Sequence, residues 1–242
     1  MAGKIEQVGA NGGRRRDTLK VSGRLLAQLN VSGFPFSFPF CGPIRQAIFE
    51  LMQFTEGSVY HIYNRGNDKR VIFFQERNYR YFIEKVEKYI LPCSNLLAWC
   101  LMPNHFHFLI QARASSITIL REYPVRINSL TEGIRMLLSS YTKGIQKQET
   151  ITGNLFQQKT KFKCVDDYLA TAFHYIHQNP RAASLVHRLE DWKWSSLQEY
   201  LGLSQTVLCN KEIAHSYLDL ERNRLLENSY EAISEEAITK IL

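Results

Sequence analysis

No CxxC pair occurs anywhere in the chain, and its five cysteines, Cys41, Cys93, Cys100, Cys164 and Cys209, are odd in number and widely spaced. That excludes a disulfide framework and a zinc ribbon. It reads as a reducing, cytoplasmic setting, with Cys100 and Cys164 as small core residues in apolar runs. No apolar run reaches the length of about 18 residues that a membrane span needs. The N-terminus is basic but lacks a compact apolar stretch followed by a cleavage site, so no signal peptide is expected. Internal repeats are absent too. Acidic residues are in the minority: 23 Asp and Glu against 30 Lys and Arg, a net charge of +7. An excess of this sign suits a polyanionic partner such as nucleic acid, although scattered charge on an ordinary basic protein gives the same total.

What is present divides unevenly. Residues 1–52 carry a Gly/Arg tract, "GANGGRRRD", and a Phe/Pro alternation, "SGFPFSFPFCGP", that neither a helix nor a full sheet ladder tolerates. They read as a flexible extension with a short helix around residues 44–54. Order begins at "GSVYHIYNRG", where Val59, His61 and Tyr63 alternate with Tyr60, Ile62 and Asn64 as a strand does. Helical spacing follows over residues 75–90, through Tyr79, Phe82 and Val86. "NLLAWCLM" and "HFHFLIQA" read as two strands of a hairpin turning at Met102-Pro103-Asn104. An irregular stretch leads to Asn128, then a helix over residues 130–147. An extended lysine-bearing segment comes next, and a last helix of the domain, capped by Asp166 or Asp167, ends at Asn179-Pro180. This order predicts an α+β fold, an antiparallel sheet with helices on one face. The domain is expected over residues 53–203. A helical C-terminal tail follows over 204–242, with helices over 211–220 and 234–242 and Ser234 as a cap.

The histidines of "MPNHFHFLI" are the chemical feature. Side chains alternate along a strand, so His105 and His107 point one way and Phe106 and Phe108 the other, into the core. Two imidazoles about 7 Å apart at Cα can converge on one ion, or simply sit on a half-exposed strand. On the later helix, Tyr175 and Asn179 are one turn apart on the same face. A phenol nucleophile and an amide oxygen beside a His pair make a workable phosphoryl-transfer site. A core aromatic and a plain helix cap are the alternatives from chemistry alone. His174 and His177 flank the tyrosine off its azimuth and read as packing or surface residues. Tyr168, seven residues earlier, is the rival nucleophile, expected in the core. Trp192 and Trp194 could stack on bases but read as packing.

Six blocks in order, "VYHIYNRGNDKRVIFF", "LAWCLMPNHFHFLI", "LLSSYTKGIQ", "GNLFQQKTKFKCV", "DDYLATAFHYIHQNPRAASLV" and "DWKWSSLQEY", resemble the REP-associated tyrosine transposases, relatives of the single-tyrosine HUH insertion-sequence transposases. The resemblance spans residues 56–201. It implies a ferredoxin-like HUH endonuclease fold and metal-dependent cleavage and rejoining of single-stranded DNA at hairpin-forming palindromic repeats, through a 5′-phosphotyrosine. It implies His105, His107 and Asn179 as ligands of Mg²⁺ or Mn²⁺, and Tyr175 as the nucleophile. Where many members read "LNPVRAG" this chain has "QNPRAAS": Arg181 stands for an apolar residue, Ala182 for the usual arginine and Ser184 for the glycine, which bears on DNA contacts after the site.

The candidates for contact with single-stranded or hairpin DNA are Arg65, Lys69 and Arg70 after the first strand, Lys159, Lys161 and Lys163 on the extended segment, and Arg181. Lysines there could equally protect an edge strand. Monomer and homodimer both stay open. Two other functions also fit: a domesticated hairpin-binding protein that no longer cuts, and a metal-dependent nuclease or RNA-binding protein in which Tyr175 only packs.

Overall fold

A computed structural model gives the structure of residues 53–242. The expected N-terminal extension, Cys41 and all but the last two positions of the helix expected over 44–54 lie outside the described residues. Among the described residues, no helix is long and apolar enough to cross a membrane.

The frame is a four-stranded antiparallel sheet in the order β2-β3-β1-β6: β1 is Val59–Arg65, β2 Ser94–Met102, β3 His105–Ala112 and β6 Lys161–Cys164. The β2–β3 hairpin turns on Pro103 and Asn104. Between β3 and β6 lies a small hairpin of β4, Ile119–Arg121, and β5, Ile127–Asn128, in the stretch that the sequence leaves irregular. Helix α1, Glu76–Tyr89, links β1 to β2. A single turn, α2, Ala114–Ile117, follows β3, and α3, Ser129–Glu149, leads toward β6. After β6 come α4, Leu169–Ala182, the short α5, Leu197–Tyr200, and three tail helices: α6, Lys211–Tyr217; α7, Arg222–Tyr230; and α8, Glu235–Ile241. The tail thus holds α7 besides the two expected helices. Ser234 caps α8 as expected, its Oγ accepting from the Ala237 amide at 3.2 Å.

Helices cover both faces of the sheet, which corrects the expectation of one face. Tyr60, Ile62, Trp99, Leu101, Phe106 and Phe108 pack with α1 and α3, through Phe82, Leu137 and Tyr141. Val59, Leu97, Cys100, Met102 and Leu109 pack with Phe173 and Ile176 of α4 and with Leu225 and Ile241 of the tail. The physical reason lies in β2. A run such as "NLLAWCLM" has no polar face, so it must be buried on both sides. Its outer edge is covered as well: the Leu101 amide donates to the Trp194 carbonyl and the Ser196 amide to the Trp99 carbonyl, both at 2.9 Å.

Further differences concern the start and end of α4. Neither aspartate caps it. Residues 166–168 form a 3-10 turn, and Asp166 Oδ1 instead accepts from the Val59 amide at 2.6 Å. Helix α4 also runs on through Pro180 to Ala182. The turn around the proline is held by the Ala183 amide on the Asn179 carbonyl and the Leu185 amide on the Pro180 carbonyl, each at 2.9 Å. Because the helix begins only at Leu169, Tyr168 turns outward, 38% exposed, with Lys240 Nζ 5.6 Å above its ring. Cys164 is exposed rather than core, being the last residue of the edge strand β6, whereas Cys100 is buried. Both tryptophans pack: Trp194 stacks on Tyr79 at 4.6 Å, and Trp192 Nε1 donates to the Leu101 carbonyl at 3.1 Å.

Candidate functional site

Pleating of β3 sends Phe106 and Phe108 into the α1–α3 core and leaves His105 and His107 on the face that α4 crosses. Strand β1 pairs beside them with Tyr63 opposite His107 and Arg65 opposite His105. On the far side of β1, β6 places Lys161 opposite Tyr63 and Lys163 opposite His61. Cross-strand partners share a face, so two of the three segment lysines and Arg65 lie on the histidine face.

Helix α4 presents Tyr175 to this face. Its half-buried ring stands edge-on to His107, with centroids 5.9 Å apart at 89°, and to His61 at 6.1 Å. His105 and His107 are 5.0 Å apart, ring to ring. One turn beyond the tyrosine, Asn179 Nδ2 donates to the Tyr175 carbonyl at 2.8 Å. The fold therefore brings a phenol, an amide and two imidazoles into one neighbourhood from a hairpin and a helix distant in sequence.

Each imidazole is held at Nδ1. His105 Nδ1 is 2.6 Å from Asn104 Oδ1, and His107 Nδ1 is 2.8 Å from His61 Nε2. For neither ring does Nε2 find a hydrogen-bond partner among the described residues. Burial keeps these rings neutral. Desolvation, joined by the neighbouring Arg65, lowers His105 to about 4, and desolvation with the adjacent imidazoles takes His107 well below the usual value. His61 is lowered to about 4, again by burial, against the opposing pull of the Ile241 carbonyl. Burial raises the Tyr175 phenol, and a hydrogen bond with Asn179 offsets part of this.

Neutral, anchored imidazoles with free Nε2 atoms are the form that binds a divalent ion. Among the described residues, no three His, Cys, Asp or Glu side chains are grouped to hold a metal. The residues that would hold an ion here are His105 and His107, with the Asn179 amide, next to Tyr175, as the candidate third donor. Imidazole and carbonyl donors admit Mn²⁺, and also Zn²⁺.

The other candidates spread out. Lys69 and Arg70 are exposed in the loop after β1, beside the hairpin turn, where Asn104 Nδ2 donates to the Lys69 carbonyl at 3.3 Å. Lys159 is exposed before β6. Lys161 Nζ lies 5.5 Å over the Tyr63 ring, and Lys163 Nζ donates to the Thr239 carbonyl at 3.3 Å. Arg181 lies over the Tyr230 ring at 5.3 Å, engaged with the tail. His174 and His177 pack, as expected, against hydroxyls: Ser229 Oγ at 2.9 Å and Ser196 Oγ at 2.7 Å. Sequence reasoning missed two aromatic neighbours of the pair, His61 and Tyr63. Their shared face is legible in the alternation of β1, but their place beside His107 depends on the β1–β3 register.

No family model matches the chain, and no curated protein does. Among solved structures, a REP-associated tyrosine transposase bound to a REP hairpin is 14% identical, with a TM-score of 0.46 over 69% of this chain and 86% of that one. A bacterial tRNA(His) guanylyltransferase-like protein in complex with ATP is 8% identical, with a TM-score of 0.35 over 73% of this chain and 72% of that one. At these scores neither likeness decides the chemistry. What stands is an α+β chain with a small antiparallel sheet flanked by helices.

Proposed function

We propose that this protein is a metal-dependent single-stranded DNA transposase or endonuclease that cuts and rejoins DNA at hairpin-forming repeats through a 5′-phosphotyrosine. The observation that carries the reading is the edge-on approach of Tyr175 to His107, with His105 beside it and Asn179 one turn on. The ordered sequence blocks that resemble the REP-associated tyrosine transposases support it independently.

In this reading His105, His107 and Asn179 hold Mg²⁺ or Mn²⁺, which when bound neutralises charge on the scissile phosphate. The Tyr175 oxygen attacks phosphorus as its proton passes to water. The bond from phosphorus to the 3′ oxygen breaks, and that oxygen leaves as a 3′-hydroxyl after taking up a proton. The 5′ end stays on the tyrosine. Attack by another 3′-hydroxyl reverses the step and returns the phenol. Arg65, Lys161 and Lys163, on the same face, neutralise the DNA backbone, while Lys69, Arg70 and Lys159 extend the contact along the exposed loops. Arg181, at the end of α4, lies over the Tyr230 ring and adds little to this contact.

The test is a labelled hairpin oligonucleotide incubated with the protein and Mn²⁺, then run on a denaturing gel. A covalent adduct is expected that Tyr175→Phe abolishes. An adduct that survives in Tyr175→Phe rejects the nucleophile. Hairpin binding without any adduct in the native protein leaves a DNA-binding protein and no strand transfer.

A further inference from the structure

His61 is a buried polar group that the chemistry above does not use. It lies on β1 with no exposed surface. Its Nδ1 is 2.8 Å from the Ile241 carbonyl oxygen, and its Nε2 is 2.8 Å from His107 Nδ1. A carbonyl oxygen can only accept, so the His61 proton sits on Nδ1. The rings that touch His61 belong to Tyr63, His107 and Tyr175. Among the described residues no carboxylate side chain pairs with it, so a second proton would lie on a buried ring with no side-chain counterion. His61 Nε2 is therefore a lone pair, and the hydrogen bond to it must come from His107 Nδ1–H. That leaves the His107 lone pair on Nε2. In water a neutral imidazole exchanges between its two tautomers; here a backbone carbonyl in the last helix selects one for two histidines in series.

We infer that His61 is a positioning residue: with the Ile241 carbonyl it holds His107 as its Nδ1–H tautomer and so presents the Nε2 lone pair to the site. The inference rests on the reading of His107 as a metal ligand and says what makes it one. The carbonyl is itself held in place. Tyr63 Oη donates to the Leu242 main-chain oxygen at 2.7 Å, and Lys163 Nζ to the Thr239 carbonyl at 3.3 Å, tying α8 and the residue after it to β1 and β6 on either side of His61. An aromatic stack adds to this, since the Tyr63 ring lies against His61 at 4.8 Å and against His107 at 5.6 Å. Ring orientation and tautomer are thus set together, which is what a partner behind a metal-binding histidine supplies.

The test uses the full chain, metal-free and at neutral pH, with long-range ¹⁵N–¹H spectra of its histidine rings. The native protein is expected to show Nδ1 protonated and Nε2 bare in both His61 and His107. His61→Leu should release His107 to a mixture of tautomers and weaken Mn²⁺ binding, followed by electron paramagnetic resonance, by about 10-fold or more. His61→Gln, whose amide oxygen can accept from His107 Nδ1–H, should keep the tautomer and most of the affinity. A protonated His107 Nε2 in the native protein overturns the inference, and that measurement does not depend on any variant folding. So does His61→Leu with an unchanged His107 spectrum and unchanged Mn²⁺ affinity. Native spectra as expected, without a covalent DNA adduct, would sink the strand-transfer reading and leave this one standing.

Discussion

The Tyr175 ring stands at 89° to the His107 imidazole, with 5.9 Å between their centroids. One residue comes from a helix and the other from a hairpin strand, and the α4–sheet packing through Phe173 and Ile176 keeps them together. Removing the phenol oxygen alone leaves that packing intact. Tyr175→Phe should therefore melt within a few degrees of the native protein while losing the DNA adduct altogether. A calorimetric scan beside the gel assay checks both halves.

Loss of either imidazole should act differently from loss of the phenol. His105→Ala and His107→Ala should each lower Mn²⁺ affinity and, with it, adduct formation, by about 10-fold to 100-fold or more. Excess metal should rescue part of the rate in the two histidine variants and none in Tyr175→Phe. Titration of the initial rate with Mn²⁺ distinguishes them.

Lys161 and Lys163 share the site face, so each should contribute one phosphate contact. Replacing both with alanine should flatten the dependence of log binding constant on log salt by about 0.7 per lysine for single-stranded DNA. Arg181→Ala, whose guanidinium lies over Tyr230, should change that slope little. Fluorescence anisotropy over a salt series reads the difference; equal slopes in all three proteins would remove the lysines from the interface.

Acid should destabilise the metal-free fold early. His177 is fully buried, and desolvation first, then His174, lowers it to about 3. Its value in the unfolded chain is about 6.5. The folded value being the lower one, its contribution is complete above about pH 6.5. It is lost as the pH falls from there toward 3, because the unfolded chain takes up a proton that the folded protein refuses. The slope from this one group is about 1.4 kcal/mol per pH unit. Urea unfolding at neutral pH and at about pH 5 should show the loss, and His177→Leu should show a shallower one.

Gly133 marks the contact between α3 and α1. A Cβ there would lie 2.3 Å from the Tyr89 carbonyl oxygen, a backbone atom that cannot swing away. Gly133→Ala should gain about 1 kcal/mol of helix propensity and lose about 1–3 kcal/mol to overpacking. The net result is expected to be a lower urea midpoint, and a raised one would show that the two helices can move apart at no cost.

Buried Glu199 ties the tail to the sheet. Its carboxyl accepts from Trp99 Nε1 at 2.6 Å and from the Leu208 and Cys209 amides at 3.0 and 3.1 Å. Glu199→Ala strands three buried donors, at about 1–3 kcal/mol each. A loss of about 3 kcal/mol or more is expected by denaturant unfolding, with Glu199→Gln milder because it keeps one acceptor oxygen.

Much of the site could be read before folding. The alternation in "HFHF" separates imidazoles from phenylalanines because successive strand residues face opposite ways, whatever the rest of the chain does. The four-residue step from Tyr175 to Asn179 puts both on one helix face for the same local reason. Less was legible at α4, where two aspartates and an Asn-Pro pair looked like its ends. The helix begins later and runs through the proline, because packing of Leu169, Phe173 and Ile176 on the sheet outweighs the local signals.

Local periodicity, then, determined which side chains share a face: His105 with His107, Tyr175 with Asn179, and His61 with Tyr63. Only the tertiary structure decided which faces meet. The register of β1 on β3, the second layer of helices over the sheet and the arrival of the Ile241 carbonyl at His61 all join segments far apart in the chain. Such pairings are set by the collective burial of two apolar surfaces, and no repeat of two or of 3.6 residues encodes them.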